Sequence, residues 1–235
     1  MYPTFGACFV PVSGAKTYQL GDIKVENIAP DGDFIQLIDG NDLGLLNGMY
    51  AYLSAEYAGE QTELIGWYDI LNGSVGDPDY KCDDAPVNVG QAFLGYIESY
   101  SDVKLTFAGE APTVETSFRT DGAMYPYIAN YIPREIPLNW IVPKGIQPDG
   151  DFLQSIDGND LGLLNGMYAY LGAEFVGEQL ELVGWYDILN GSVGDPDYKL
   201  DDSVTVKPGE AFLGYIESLS DIEICLPSST KAFDK

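Results

Sequence analysis

The sequence predicts an all-β protein of two tandem antiparallel domains, each a β-sandwich or small barrel of jelly-roll or immunoglobulin size, with little helix. Three observations predict it. Residues 30–84 return almost unchanged as residues 148–202, Trp67 matching Trp185 at an offset of 118, and self-similarity at a fixed period marks a repeated structural unit. The composition, with 17 Tyr, 10 Phe and 27 Gly, favours strands separated by tight turns. No stretch keeps a 3.6-residue apolar period over three turns, so helix is expected to be minor. A repeat of this length is close to the commonest domain size. The expected division is a first domain over 1–110, a linker over 111–122, a second domain over 123–227 and a tail over 228–235.

Taken in order, residues 5–12 form an apolar run and residues 17–25 alternate around Tyr18, Leu20 and Ile23, which predicts two strands joined at Ser13-Gly14. Their counterparts, 124–131 and 136–142, have diverged much more than the repeated window, and Trp140 stands where the first half has Asp22. Residues 33–38 read as a short strand ended by Asp39-Gly40-Asn41-Asp42, which has the chemistry of Asx and left-handed turns. Asn47-Gly48 is the dipeptide of a type I′ hairpin turn, directly before an alternating run. In that run Met49, Ala51, Leu53 and Ala55 share one face, the expected core face, and Tyr50, Tyr52, Ser54 and Glu56 share the other. Residues 62–70 read as the next strand. A long Gly-, Asp- and Pro-rich loop over 72–84 follows, then strands over 91–97 and 102–107. Within 30–84 the copies differ only at Ile35, Leu37, Ser54, Tyr57, Ala58, Thr62, Ile65 and Cys82.

Eleven basic against 37 acidic residues give a formal charge of -26. Phosphate binding needs a basic footprint, so nucleic acid and anionic membrane surfaces are not expected partners. Histidine is absent, which removes the usual general base, the commonest metal ligand and any Ser-His or Cys-His pair. Residues 1–12 carry no basic n-region and no apolar run long enough for a signal peptide or a membrane span. The three cysteines lack CxxC spacing, against zinc and thioredoxin-like chemistry.

The candidate constellations are few. Asp31, Asp33, Asp39, Asn41 and Asp42, with copies Asp149, Asp151, Asp157, Asn159 and Asp160, cluster oxygen donors of the kind calcium accepts. The spacing is not that of an EF-hand loop, and turn chemistry accounts for the same residues. The acidic loop 77–84 and its copy 195–202 divide in the same way between a cation site and a solvated turn. Carboxylates are too numerous for any pair to single out glycoside hydrolysis, which needs two flanking a sugar, and no catalytic residue is nominated. Tyr50, Tyr52 and Trp67 with Tyr68, and the copies Tyr168, Tyr170 and Trp185, could form a sugar-stacking platform; the alternative is that the Trp fills a core and the tyrosines pave a sheet. Asn72-Gly73-Ser74 and Asn190-Gly191-Ser192 match the N-glycosylation acceptor pattern. Cys82 stands where the copy has Leu200, as a small buried hydrophobe would. Cys8 lies in the expected first strand and Cys225 in the last, so a disulfide between them is expected to link one molecule head to tail with the next.

The order Phe9-Val10-Pro11-Val12, Leu20-Gly21-Asp22-Ile23, Phe34-Ile35-Gln36, Tyr50-Ala51-Tyr52, Gly66-Trp67-Tyr68-Asp69, Gly90-Gln91-Ala92-Phe93-Leu94 and Leu105-Thr106-Phe107-Ala108-Gly109 resembles an uncharacterised repeat domain of exported bacterial surface or filament proteins. These motifs cover most of the first half. The second half keeps the later ones but shows Tyr127-Ile128-Ala129-Asn130 and Leu138-Asn139-Trp140-Ile141 for the early ones. The resemblance brings no catalytic residues. With the tandem repeat it implies a non-enzymatic structural protein outside the cell, a subunit of a surface layer, pilus-like fibre or filament whose partner is itself. The rival expectation is a secreted glycan-binding adhesin module, and calcium is the one cofactor the residues suggest.

Overall fold

The computed structural model describes residues 4–6, 18–38, 40–42, 44–87, 92–109, 116–130, 132–159 and 162–228. The chain is all-β. In the first half the strands are β1 (Thr4–Gly6), β2 (Lys24–Glu26), β3 (Phe34–Ile38), β4 (Leu46–Leu53), β5 (Gly66–Asp69), β6 (Ala92–Tyr96) and β7 (Lys104–Thr106). After β8 (Thr116–Arg119) come β9 (Tyr127–Ala129), β10 (Ile136–Pro137), β11 (Val142–Lys144), β12 (Asp151–Ile156), β13 (Leu164–Leu171), β14 (Gly184–Asp187), β15 (Thr205–Val206), β16 (Ala211–Ile216) and β17 (Glu223–Leu226). The α-helices among the described residues are two single turns at matching places, α1 (Ala55–Ala58) and α2 (Ala173–Val176).

Each half builds an antiparallel five-stranded sheet, in the order β1-β6-β3-β4-β5 and β9-β16-β12-β13-β14, and neither closes into a barrel among the described residues. Equivalent strands keep the same register: Tyr52 faces Trp67 and Tyr170 faces Trp185. On the second sheet, Leu153, Tyr170, Trp185 and Phe212 form one core with Ile222 and with Ile224 and Leu226 of β17, the central strand of the separate sheet β11-β17-β8. The first sheet buries Ile35, Trp67 and Phe93 with Tyr18, Leu20 and Ile23, and Val25 of β2 and Leu105 of β7 pack against this core, β2 and β7 pairing with each other.

Several local expectations are corrected. Asn47 and Gly48 lie inside β4, Gly48 opposite Leu37, and the turn lies upstream of them. The glycine is required for another reason: a Cβ at Gly48 would collide with the ring of Tyr50, which folds back along its own strand, and Gly166 and Tyr168 repeat the arrangement. The larger core lies on the Tyr50, Tyr52 and Trp67 face, and not on the Met49, Ala51 and Leu53 face. That second face is covered too, because α1 and the 3-10 turn Thr62–Leu64 fold over Leu53 and Tyr68. With both faces covered, alternation marks the pleat but cannot tell inside from outside. The strand expected over 17–25 is broken by a 3-10 turn at Leu20–Asp22, which buries Leu20. The strand expected over 62–70 shortens to β5. Residues 111–122, read as a linker, carry β8, which pairs with β17.

The halves meet through equivalent edges. β1 lies against β16 and β6 against β9, so each half offers its edge strand to the same strand of the other. Ala92, Ala129 and Ala211 are buried together there, and Tyr125 N donates to the Gly40 carbonyl at 2.5 Å. Small side chains let the two sheets approach closely.

Candidate functional site

The acidic residues nominated as calcium ligands divide into three sets. Asp33 and Asp151 are buried, each 1% exposed. Asp33 accepts from Ala29 N (3.0 Å), Ser99 N (2.9 Å) and Ser99 Oγ (2.6 Å). Asp151 accepts from Gln147 N (2.9 Å), Ser218 N (3.0 Å) and Ser218 Oγ (2.7 Å). Their oxygens are thus directed at internal donors, where they clamp the turn after β6 or β16 onto the sheet. Asp42 and Asp157 hold their own loops, accepting from Gly44 N (2.7 Å) and Asn159 N (2.8 Å). Asp31 and Asp149 are exposed, and Asp39 and Asp160 lie outside the described residues. Among the described residues no three His, Cys, Asp or Glu side chains come together as a metal-holding group.

The clamped turns share an unusual backbone. Tyr100 and Leu219, at their tips, have φ of 54° and 52°, a left-handed conformation that disfavours bulky side chains. Both are well exposed. Ser99 and Ser218, the partners of the buried carboxylates, drew no attention in the sequence, where the signal was only the repeated Glu-Ser-x-Ser-Asp.

The aromatic platform is turned inward. Trp67 and Trp185 have no exposed surface, and each meets its neighbouring tyrosine edge-on, Tyr52 and Tyr170, at ring separations of 5.3 Å. Neither indole offers a face to a sugar. Tyr68 is likewise wholly buried, while Tyr50 and Tyr168 pack against the cores at intermediate exposure. Burial above all pushes the phenols of Tyr50, Tyr52 and Tyr168 above their usual range, with smaller contributions from Cys82 and Asp69 at Tyr50, Asp83 at Tyr52, and Asp187 and Glu210 at Tyr168.

The two copies differ beside Tyr52. In the first half this ring borders a groove of about 320 Å³ with Gln19, Asp83 and Asp84, and Asp83 Oδ1 accepts from Trp67 N at 2.7 Å. In the second half Asn139 replaces Gly21 and donates to the Leu200 carbonyl at 3.0 Å. There Tyr170 falls to 7% exposed and Asp201 turns away to cap Ser203 N (2.8 Å).

Of the two cysteines expected to form a head-to-tail bridge, the structure describes Cys225. Cys225 sits on β17, the central strand of its layer, between Val142 and Ser117, and is 9% exposed. It is covered by neighbouring strands and does not mark an open end. Cys8 lies outside the described residues, and Cys82 and Cys225 are free thiols. Cys82 is half-buried against the first core, matching Leu200 in the copy. Burial, followed by the charges of Asp69, Asp83 and Asp84, pushes its thiol up to about 12. Since the thiolate is the nucleophile, Cys82 should resist iodoacetamide at pH 8 in the folded chain and react on denaturation, as mass spectrometry of the alkylated protein would show. Asn72 of the acceptor pattern directs its Nδ2 to Asp69 Oδ2 (2.8 Å), and Asn190 does the same with Asp187 (2.8 Å).

No family model, no curated protein and no solved structure matches the chain. No helix among the described residues is long and apolar enough to cross a membrane.

Proposed function

We propose that the chain is a non-enzymatic structural subunit that assembles with copies of itself into an extracellular fibre or surface layer. The observation that carries this reading is the contact between the halves. A unit present twice meets its own copy through equivalent strands, β1 on β16 and β6 on β9, the reciprocal pattern of an isologous interface. The repeated unit is thus self-complementary within one molecule, and because a reciprocal contact closes on itself, growth into a fibre or layer proceeds through a further, heterologous head-to-tail contact between molecules. The chemistry-bearing side chains support the same reading, since Asp33, Asp151, Trp67 and Trp185 hold turns and cores.

Charge sets the condition for assembly. At -26, copies repel one another at low ionic strength, and screening shortens the range of that repulsion from about 30 Å at 0.01 M salt to about 3 Å at 1 M. With no histidine, the charge stays nearly constant between pH 6 and 8 and falls only as carboxylates protonate toward the isoelectric point near 4.1. Negative-stain microscopy and light scattering should therefore find dispersed particles in low salt and ordered fibres or lattices as salt rises. The salt threshold should hold across pH 6–8 and drop below pH 5. Dispersed particles under every one of these conditions would overturn the assembly reading.

A further inference from the structure

We infer that the surface formed by α2 and the 3-10 turn Leu180–Leu182 docks on the outer face of β2 and β7 in a second copy. This contact is the head-to-tail one of the assembly, and the inference rests on the assembly reading above.

The copies of the repeat have diverged most at this place. Of the eight differences within 30–84, five fall at Ser54, Tyr57, Ala58, Thr62 and Ile65, the segment that carries α1 and its 3-10 turn. Two of them alter exposed side chains: Phe175 stands for Tyr57 and Leu180 for Thr62. Both changes remove a hydroxyl, and they leave Phe175 42% and Leu180 64% exposed. Packing within the half does not call for them, because Val176, Leu182 and Val183 already cover Leu171 and Tyr186. Glu174, Glu178 and Glu181 flank the two apolar side chains and are exposed. Lys199, its ammonium held on the Glu181 carbonyl, offsets part of that charge and leaves the rim negative. An apolar centre inside a charged rim is the anatomy of a contact surface.

The face of β2 and β7 has the complementary charge. Val25 and Leu105 turn into the first core, which puts Lys24, Glu26, Lys104 and Thr106 on the outer side. Lys24 and Lys104 share one carboxylate, Glu26, at 3.1 and 3.0 Å, and their side chains remain 69% and 66% exposed. The face is thus net positive on a chain of formal charge -26. On β11-β17-β8 each of the two lateral cations has a carboxylate of its own, Lys144 with Glu223 and Arg119 with Asp221.

Lysine lays its methylene stem along apolar surface and carries the ammonium beyond it. Lys24 and Lys104 can therefore cover Phe175 and Leu180 and still reach the glutamates around them. The equivalent surface of the first half keeps Glu56, Glu60 and Glu63, but Tyr57 and Thr62 each bring a hydroxyl that docking would have to desolvate. Because the two surfaces differ and lie on different halves, a docked pair keeps one of each free and growth continues. Salt that screens repulsion between whole bodies weakens close, covered ion pairs much less, so this contact is compatible with assembly as salt rises.

The test uses two full-length variants altered only at exposed positions. Lys24→Gln with Lys104→Gln turns the β2-β7 face net negative, and Leu180→Asp places a charge in the apolar centre. With melting temperatures near that of the wild type, each should stay monomeric in sedimentation velocity across the salt range in which the wild-type chain assembles. An equimolar mixture holds one intact surface of each kind, so it should form a heterodimer that grows no further. That heterodimer also excludes lost positive charge as the reason the lysine variant stays monomeric. If the wild-type chain assembles and either variant alone does likewise, the surfaces are wrong and the assembly reading stands. If the wild-type chain never assembles, the assembly reading fails and the mixture decides the contact: heterodimers uphold it, and monomers alone overturn it.

Discussion

Replacing Asp151 by alanine should destabilise the second half by about 3 kcal/mol or more, as charge-assisted hydrogen bonds contribute ~1.5–3 kcal/mol each and their loss strands the donors. The carboxylate is 1% exposed and holds Gln147 N, Ser218 N and Ser218 Oγ. Alanine leaves two amides and a hydroxyl facing a cavity. For a chain of this size the loss corresponds to roughly 6–12 °C in melting temperature. Asparagine should recover little, because one amide oxygen cannot serve donors that approach both carboxylate oxygens. Asp33→Ala removes the same three bonds in the first half, but its turn should loosen further. The second turn is also tied by Asp221, which pairs with Arg119 and accepts from Asp121 N at 3.1 Å. Calorimetry reads the stability, and exchange at the amides of Ser101 and Ser220, both bonded to the clamp serines, reads the loosening. A melting temperature unchanged in both variants would mean that these carboxylates do not organise the turns.

Trp185→Phe should cost at least about 2 kcal/mol more than Trp67→Phe, the penalty of stranding a buried carbonyl being ~1–3 kcal/mol. The two indoles fill the same place in equivalent cores and both are fully buried. They differ in one bond. Trp185 Nε1 donates to the Ile141 carbonyl at 2.8 Å, whereas Trp67 Nε1 has no partner among the described residues. Phenylalanine therefore breaks a bond in the second half, and in the first half it removes an N–H already held at a cost. Both substitutions forfeit ring volume, so the difference between them isolates the hydrogen bond. Alanine should cost about 3–5 kcal/mol at either site through the cavity it leaves. Urea unfolding followed by the remaining tryptophan fluorescence measures both variants. Equal costs would mean that Trp67 finds a partner for its N–H after all.

The duplication, the all-β class and the scarcity of helix were legible in the sequence because each is written in local pattern: a fixed offset, a pleat of period two and the absence of one of period 3.6. The nominated site residues fared differently. Asp33 and Asp39 look alike in sequence, yet Asp33 is a buried clamp, and nothing local says that Ser99 will meet it. Trp67 and Tyr52 had the composition of a ligand platform and of a core alike, and burial by the leader residues Tyr18, Leu20 and Ile23 placed the indole in a core. Asn47-Gly48 has the chemistry of a turn, but the crowding of Tyr50 over the glycine is what uses it.

The residues alone settled what kind of unit this is and that it occurs twice. Turn chemistry, strand alternation and charge are properties of short stretches, and they survive any arrangement of those stretches in space. Which face of each sheet is the core, where the two copies touch and which of them is paired with β8 were settled in three dimensions. β7 and β17 carry the same apolar alternation, and they differ because β8, from the connecting segment, reaches one and not the other. A strand's edge is satisfied or left open by residues far away in the chain, so sequence near that strand cannot record the outcome.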